Sequence, residues 1–331
     1  MDLAELTGKA PVIAMLGMCK NAGKTTALNR LIKDYALLDH PIALTSIGRD
    51  GESTDLVTGT EKPPIYLYAG MLAATAEQLL ELSDVSREIL DVLPIHTPLG
   101  RIVVFRAKSD GFVQLAGPSI VEQLSALRES LAEFGAETVI IDGALSRRSP
   151  AAGALDGTCV LSTGASLDRD MDLVTAETAF VCKILTLTEA AAPGPALDRF
   201  TIFRDGEPEA AGEINALCAA LKRGGGDTVL ASGALTDSAA QALLRAGLRR
   251  PGLRLILEDS SRLLVKRETF EKLLACGFDL AVCRGTRLAA VTVNPVSAGG
   301  WRFDGEAFLE KMRGAVPVPV LNVGPYDGTE L

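Results

Sequence analysis

Aromatic residues make up only 5% of this 331-residue chain, and histidine occurs twice, at His40 and His96. With so few rings, the core must be built from Leu, Val, Ile and Ala; apolar residues at 47% are enough for a substantial one. The six cysteines (19, 159, 182, 218, 276 and 283) show no Cys-x-x-Cys spacing and no histidine partner, which speaks against a structural zinc site. They read as small core hydrophobes of a reducing compartment. A basic excess is also missing. The net charge of −9 argues against a general nucleic-acid binder, which needs a cationic footprint. No apolar run of about 18 residues and no N-terminal signal region is present. These absences lead us to expect a soluble, cytoplasmic protein with neither nucleic acid nor membrane among its partners. The length allows two domains, or one large sheet with additions.

What is present centres on residues 17–26, Gly-Met-Cys-Lys-Asn-Ala-Gly-Lys-Thr-Thr. A short apolar run, Val12 to Leu16, precedes it. Leu28, Leu31, Ile32 and Tyr35 follow at helical spacings of three and four. Strand, glycine-bearing turn, Gly-Lys-Thr and helix is the context that gives a phosphate-binding loop its meaning. Consecutive backbone N–H groups in such a turn form an anion nest, and the helix N-terminus adds positive dipole. Gly17, Lys20, Asn21, Ala22, Gly23, Lys24, Thr25 and Thr26 are therefore the candidate nucleotide-binding residues. Gly23 keeps side chains off the phosphates. Lys24 would reach the β- and γ-phosphates, the Thr25 hydroxyl would ligate Mg²⁺, and Thr26 would lie near the α-phosphate. Cys19 reads as a small loop residue rather than a nucleophile, since no histidine neighbours it.

Thr138 to Asp142 is an apolar run ending in a carboxylate before Gly143. Downstream of such a loop, Asp142 is the second candidate Mg²⁺ ligand, direct or through water. The polar stretch Gly48 to Asp55 carries Asp50, Glu52 and Asp55. Asp50 is the third candidate catalytic residue beside Lys24 and Asp142, to touch Mg²⁺, position a water or bind substrate; a solvated acidic loop is the other reading. Arg147 and Arg148 either sense phosphate, recognise an acidic partner or belong to a solvated loop.

Further along, residues 70–82 read as helix. Gly100–Arg106 and Gly111–Gly117 read as two strands joined at Lys108–Gly111. Ser119 and Glu122 form a capping box before a helix with the face Ile120, Leu124, Leu127, Leu131 and Phe134, closed by Gly135. Ala190 to Ala196 reads as a linker, and Gly224–Gly226 as a flexible turn. Strand and helix patterns then alternate to Val323. Asp259–Arg262 and Asn294–Ser297 follow strand-like runs and either line a second site or are ordinary loop chemistry. The expected architecture is α/β: a mainly parallel three-layer αβα sheet of the P-loop kind over 1–192, and a smaller α/β domain of unknown role over 198–331.

Gly17 and Gly23 are separated by five residues, one more than the common spacing. The longer loop, with Gly23-Lys24-Thr25, resembles that of dethiobiotin synthetase and its relatives. These belong to the P-loop class that also holds metal-cofactor maturation proteins. Over residues 10–165 the resemblance implies carboxyl activation by phosphoryl transfer to a small substrate. The acidic residue common in that loop is absent, and the second half of the chain has no counterpart. A narrower resemblance is to a small family described as a component of the lysine 5,6-aminomutase reactivating system. It rests on Cys19–Thr26, Gly117-Pro118-Ser119, Ile141–Leu145 and Asn294-Pro295. It implies a nucleotide-dependent partner of a cobalamin enzyme.

No Asn-Lys-x-Asp signature for guanine is present, so ATP is the default nucleotide and GTP the alternative. Three functions follow as expectations. The first is Mg²⁺-dependent triphosphate binding with slow hydrolysis coupled to a protein partner or a homodimer. The second is a ligase or kinase for a small carboxylate or amine. The third is a scaffold that binds without hydrolysing.

Overall fold

The structure is a computed structural model and describes residues 2–48, 65–143, 157–246, 249 and 251–323. It divides into two compact units: Met1–Ala179 with Arg287–Leu331, and Phe180–Thr286. The boundary expected at 192–198 lies within the second of these units. The chain leaves the first unit, completes a second and returns to finish the sheet it began.

That first sheet has nine strands: β1 (Val12–Gly17), β2 (Ile42–Ser46), β4 (Leu72–Ala76), β5 (Arg87–Thr97), β6 (Gly100–Ala107), β8 (Thr138–Asp142), β9 (Thr158–Gly164), β18 (Arg287–Asn294) and β19 (Val320–Asn322). Their order is β19-β18-β9-β1-β8-β2-β4-β6-β5. All pairs from β19 to β4 are parallel, and the hairpin β5–β6 closes one edge antiparallel. β3 (Ile65–Leu67) and β7 (Gly111–Val113) pair separately.

Alternation along the central strands feeds two cores. Ile13, Met15, Ile42, Leu44 and Ile140 face one side with Leu28, Leu31, Ile32 and Tyr35 of α2 (Lys24–Leu37), beside the short α1 (Leu3–Thr7). Val12, Ala43, Val139 and Ile141 face the other with Leu124, Leu127 and Leu131 of α3 (Val121–Glu133). Helices therefore cover both faces of a mainly parallel sheet, as the period-3.6 and all-apolar strand patterns require. No helix among the described residues is long and apolar enough to cross a membrane.

Several local expectations are corrected. Residues 70–82 form β4 and a 3-10 turn over Glu77–Leu82 instead of a helix. β4 is buried along its whole length between β2 and β6, and that burial overrides the helix propensity of its Ala and Leu residues. β6 pairs with β4 and β5 instead of β7. α3 begins at Val121 after Ile120, which makes no side-chain cap, so the Ser119–Glu122 box does not form; Ile120 is 53% exposed.

In the second unit, β10 (Thr188–Glu189), β17 (Phe278–Arg284), β15 (Leu253–Asp259), β13 (Thr228–Ala231), β11 (Phe200–Arg204) and β12 (Glu207–Gly212) form a six-stranded sheet in that order. The first four run parallel, the last two antiparallel. Phe203, Leu230, Ile256 and Ala281 form a core cluster. α5 (Ile214–Lys222), α6 (Asp237–Arg245) and α7 (Arg267–Ala275) alternate with the strands, and β14 (Leu235–Thr236) pairs with β16 (Leu263–Leu264). The turn at Gly224–Gly226 is tightly placed: a Cβ on Gly226 would overlap Ile202 and the Phe203 carbonyl. α4 (Met171–Leu185) follows β9, its residues divided between the two units after Ala179, and in the first unit α8 (Gly305–Ala315) links β18 to β19.

Candidate functional site

Parallel strands place all their carboxyl ends on one edge, and ligands of open α/β sheets bind there. In the first unit Ser46, Gly17, Asp142, Gly164 and Asn294 end β2, β1, β8, β9 and β18 on that edge. The loop from Met18 to Gly23 leaves β1 at its centre.

The loop is fixed from several sides. Met18 N donates to Ser162 O of β9 at 2.9 Å. Ala22 is buried. Asn21 and Gly23 adopt positive φ, 59° and 89°. Gly23 caps α2 in a left-handed conformation that a side chain would strain, and a Cβ there would meet Asn294 Cβ at 3.0 Å. Asn294 Nδ2 donates to Asn21 O at 3.4 Å. Its Oδ1 accepts from Val296 N at 3.0 Å and its carbonyl from Ala165 N at 2.9 Å. Asn294 thus joins the loop to the ends of β9 and β18. The sequence reading placed Asn294 in a separate second half; the structure brings it to the loop.

Lys24 opens α2. Its aliphatic stem lies 3.5 Å from where a Cβ on Gly17 would stand, and its ammonium pairs with Asp142 Oδ1. Asp142 stands beside Met15 in the β1–β8 register and beside Ser46 in the β2–β8 register. Ser46 Oγ donates to its carbonyl at 3.0 Å. The two charged side chains are 23% and 21% exposed, so the pair stays within reach of solvent. Thr25 and Thr26 are half-buried in the first turn of α2, and Lys20 is exposed. Burial pushes the Cys19 thiol up to about 11, which leaves it a poor nucleophile at neutral pH. All six cysteines are free.

Thr25 and Asp142 offer two hard oxygen donors, a set that suits Mg²⁺ held jointly with phosphate and water oxygens. No cluster of three His, Cys, Asp or Glu side chains occurs among the described residues. Asp50, Glu52, Asp55, Arg147 and Arg148 lie outside the described residues. Asp259 closes its own turn, accepting from Ser261 N at 2.8 Å, and Arg262 pairs with Glu258 at 3.3 Å, which is ordinary loop chemistry.

Sequence reasoning missed a cavity of about 340 Å³ lined by Arg169, Gly299, Gly300, Trp301, Arg302 and Phe303. The signal available was the sole tryptophan of the chain beside two glycines and an arginine. No family model, curated protein or solved structure matches the chain.

Proposed function

We propose that the chain binds a nucleoside triphosphate with Mg²⁺ at the loop between β1 and α2 and hydrolyses it slowly. The observation that carries the reading is the meeting of Lys24, on the first turn of α2, with Asp142, at the end of the adjacent strand. A half-buried, positively dipolar helix start and a lysine supply positive potential; a carboxylate and a threonine hydroxyl supply a cation site beside it. On binding, Lys24 would turn from Asp142 to the phosphates, and Asp142 with Thr25 would hold Mg²⁺, which neutralises phosphate charge. Little covalent chemistry is asked of the protein in phosphoryl transfer; positioning and charge stabilisation supply the catalysis.

Turnover coupled to a protein partner or a second copy follows the narrower resemblance, which points to a reactivating factor for a cobalamin enzyme. Partner-stimulated hydrolysis supports that coupling, whereas turnover that saturates with a small carboxylate or amine replaces it with a ligase or kinase.

Titration calorimetry with ATP and GTP in the presence of Mg²⁺ tests the site itself. Wild type should bind, and Lys24→Ala should lose at least about a hundredfold in affinity, as expected when a charged phosphate contact is removed. Unchanged affinity in the variant sinks the reading.

A further inference from the structure

The loop and its lysine account for phosphates but leave the rest of a nucleotide unplaced. The cavity at Trp301 lies on the same edge of the same sheet. It is formed where the segment after β9 meets the segment after β18. Trp301 Nε1 donates to Ala165 O at 3.0 Å, and Ala298 N donates to Ser166 Oγ at 3.3 Å. The next residue of that chain of contacts is Asn294, bonded to Ala165 on one side and to Asn21 of the loop on the other. β18 is two strand spacings from β1, about 10 Å. A ribose and its first phosphates bridge an interval of that order.

The lining is suited to a flat, electron-rich group. The Arg169 guanidinium lies over the Trp301 ring, 4.7 Å from its centroid, which makes a stacked platform of two planar groups. Phe303 is braced edge-on against Phe308 at 5.1 Å. The nearby carboxylates are occupied elsewhere. Asp170 accepts from Asp172 N at 2.8 Å at the start of α4, Asp168 accepts from Asp170 N at 2.9 Å, and Asp304 caps α8 by accepting from Ala307 N at 2.9 Å. Neither Arg169 nor Arg302 forms an ion pair with a carboxylate among the described residues. The volume of about 340 Å³ is at the small end of ligand pockets, which run from about 300 to 1,000 Å³, and fits one part of a ligand held elsewhere as well.

We infer that this cavity receives the base of the nucleotide whose phosphates lie at Lys24, with the Trp301–Arg169 stack as its platform and Arg302 at its edge. The inference rests on the nucleotide reading above. It also turns the default base around. Arginine has donors only. Guanine presents two acceptors, O6 and N7, on one edge, whereas adenine carries an amino donor there. GTP is therefore the preferred nucleotide, in spite of the missing Asn-Lys-x-Asp signature.

Trp301 is the only tryptophan, so its fluorescence reports this cavity alone. Mg²⁺ complexes of GTP, ATP and tripolyphosphate, together with guanosine, would be titrated against the full chain by fluorescence and calorimetry in parallel. GTP should change Trp301 emission and bind about tenfold more tightly than ATP, the discrimination one good arginine–guanine contact provides. Tripolyphosphate should bind without an emission change. Arg169→Ala should weaken GTP and leave tripolyphosphate affinity unchanged, and Arg302→Ala should erase the preference for GTP. The base site is overturned if GTP binds with unchanged emission, or if tripolyphosphate binds as tightly as GTP. ATP binding as tightly as GTP, or more so, overturns the guanine assignment. If tripolyphosphate fails to bind while guanosine still changes Trp301 emission, the phosphate site is wrong and the cavity stands. If no ligand binds, both fall.

Discussion

Lys24 and Asp142 hold each other in this structure, and the proposed ligand must part them. Each is only about one-fifth exposed, so the pair is parted favourably only when the ligand gives each charge a new partner. A triphosphate offers Lys24 far more negative charge than one carboxylate does, and Mg²⁺ offers Asp142 a divalent partner. Asp142→Asn removes the competitor for the lysine and a ligand for the cation together. In calorimetry with and without a chelator, the variant should bind metal-free triphosphate more tightly than wild type and gain much less from Mg²⁺; an undiminished Mg²⁺ effect would contradict the role given to Asp142. Cys19, four residues before Gly23 in the same loop, is the opposite kind of residue. Its thiol, raised by burial from an ordinary 9.0 to about 11, carries about a hundredfold less thiolate at neutral pH. Peptide mapping after iodoacetamide should show Cys19 labelled far more slowly than an unfolded-state thiol, with the rate still rising above pH 9. Rapid labelling at pH 7 would mean an activated thiol and reopen a chemical role for it.

The elements that carry the site are also those the sequence shows most clearly. β1, α2 and β8 have uninterrupted apolar runs or strict helical spacing, and their cores are local to them: Leu28, Leu31, Ile32 and Tyr35 are all buried. β5 is invisible by the same rule. Its pairing with β6 shifts register between Ile89 and Asp91 and again between Leu93 and His96, so the two-residue period that marks a strand is broken twice. β4 is misread because its Ala and Leu residues favour helix until β2 and β6 bury them on either side. Gly117 is legible only as part of a motif. In the fold it has a steric reason, because a Cβ there would overlap the Ser46 carbonyl at the end of β2 and come 2.9 Å from Thr45 Oγ1. Gly117→Ala should cost more than about 3 kcal/mol, the range of substitutions that force backbone apart. Chemical denaturation measures it, and a loss under about 1 kcal/mol would mean that the segment carrying Gly117 moves away from the end of β2 easily.

At the scale of the whole molecule, the small-residue stretch Ala190–Ala196 looks like a linker but works as structure. Ala190 N donates to Val282 O at 2.8 Å, and Gly194 lies against the Phe203 ring, both inside the second unit. Local composition cannot show that β18 pairs with β9, because that pairing joins residues far apart in the chain. A fragment ending at residue 192 therefore lacks Asn294 and leaves β9 as a bare edge, which invites association. It should run as oligomer or aggregate in size-exclusion chromatography and bind no triphosphate. A monomeric fragment with full affinity would show that β18 is dispensable. The interrupted sheet also has a consequence in time. Roughly 130 residues separate Thr158 from its partner Arg287, which at ribosomal speed is a delay on the order of ten seconds. During that delay the nascent chain carries the loop without Asn294, so the contact that braces the loop forms only after the second unit has been made, and the proposed nucleotide site is completed late.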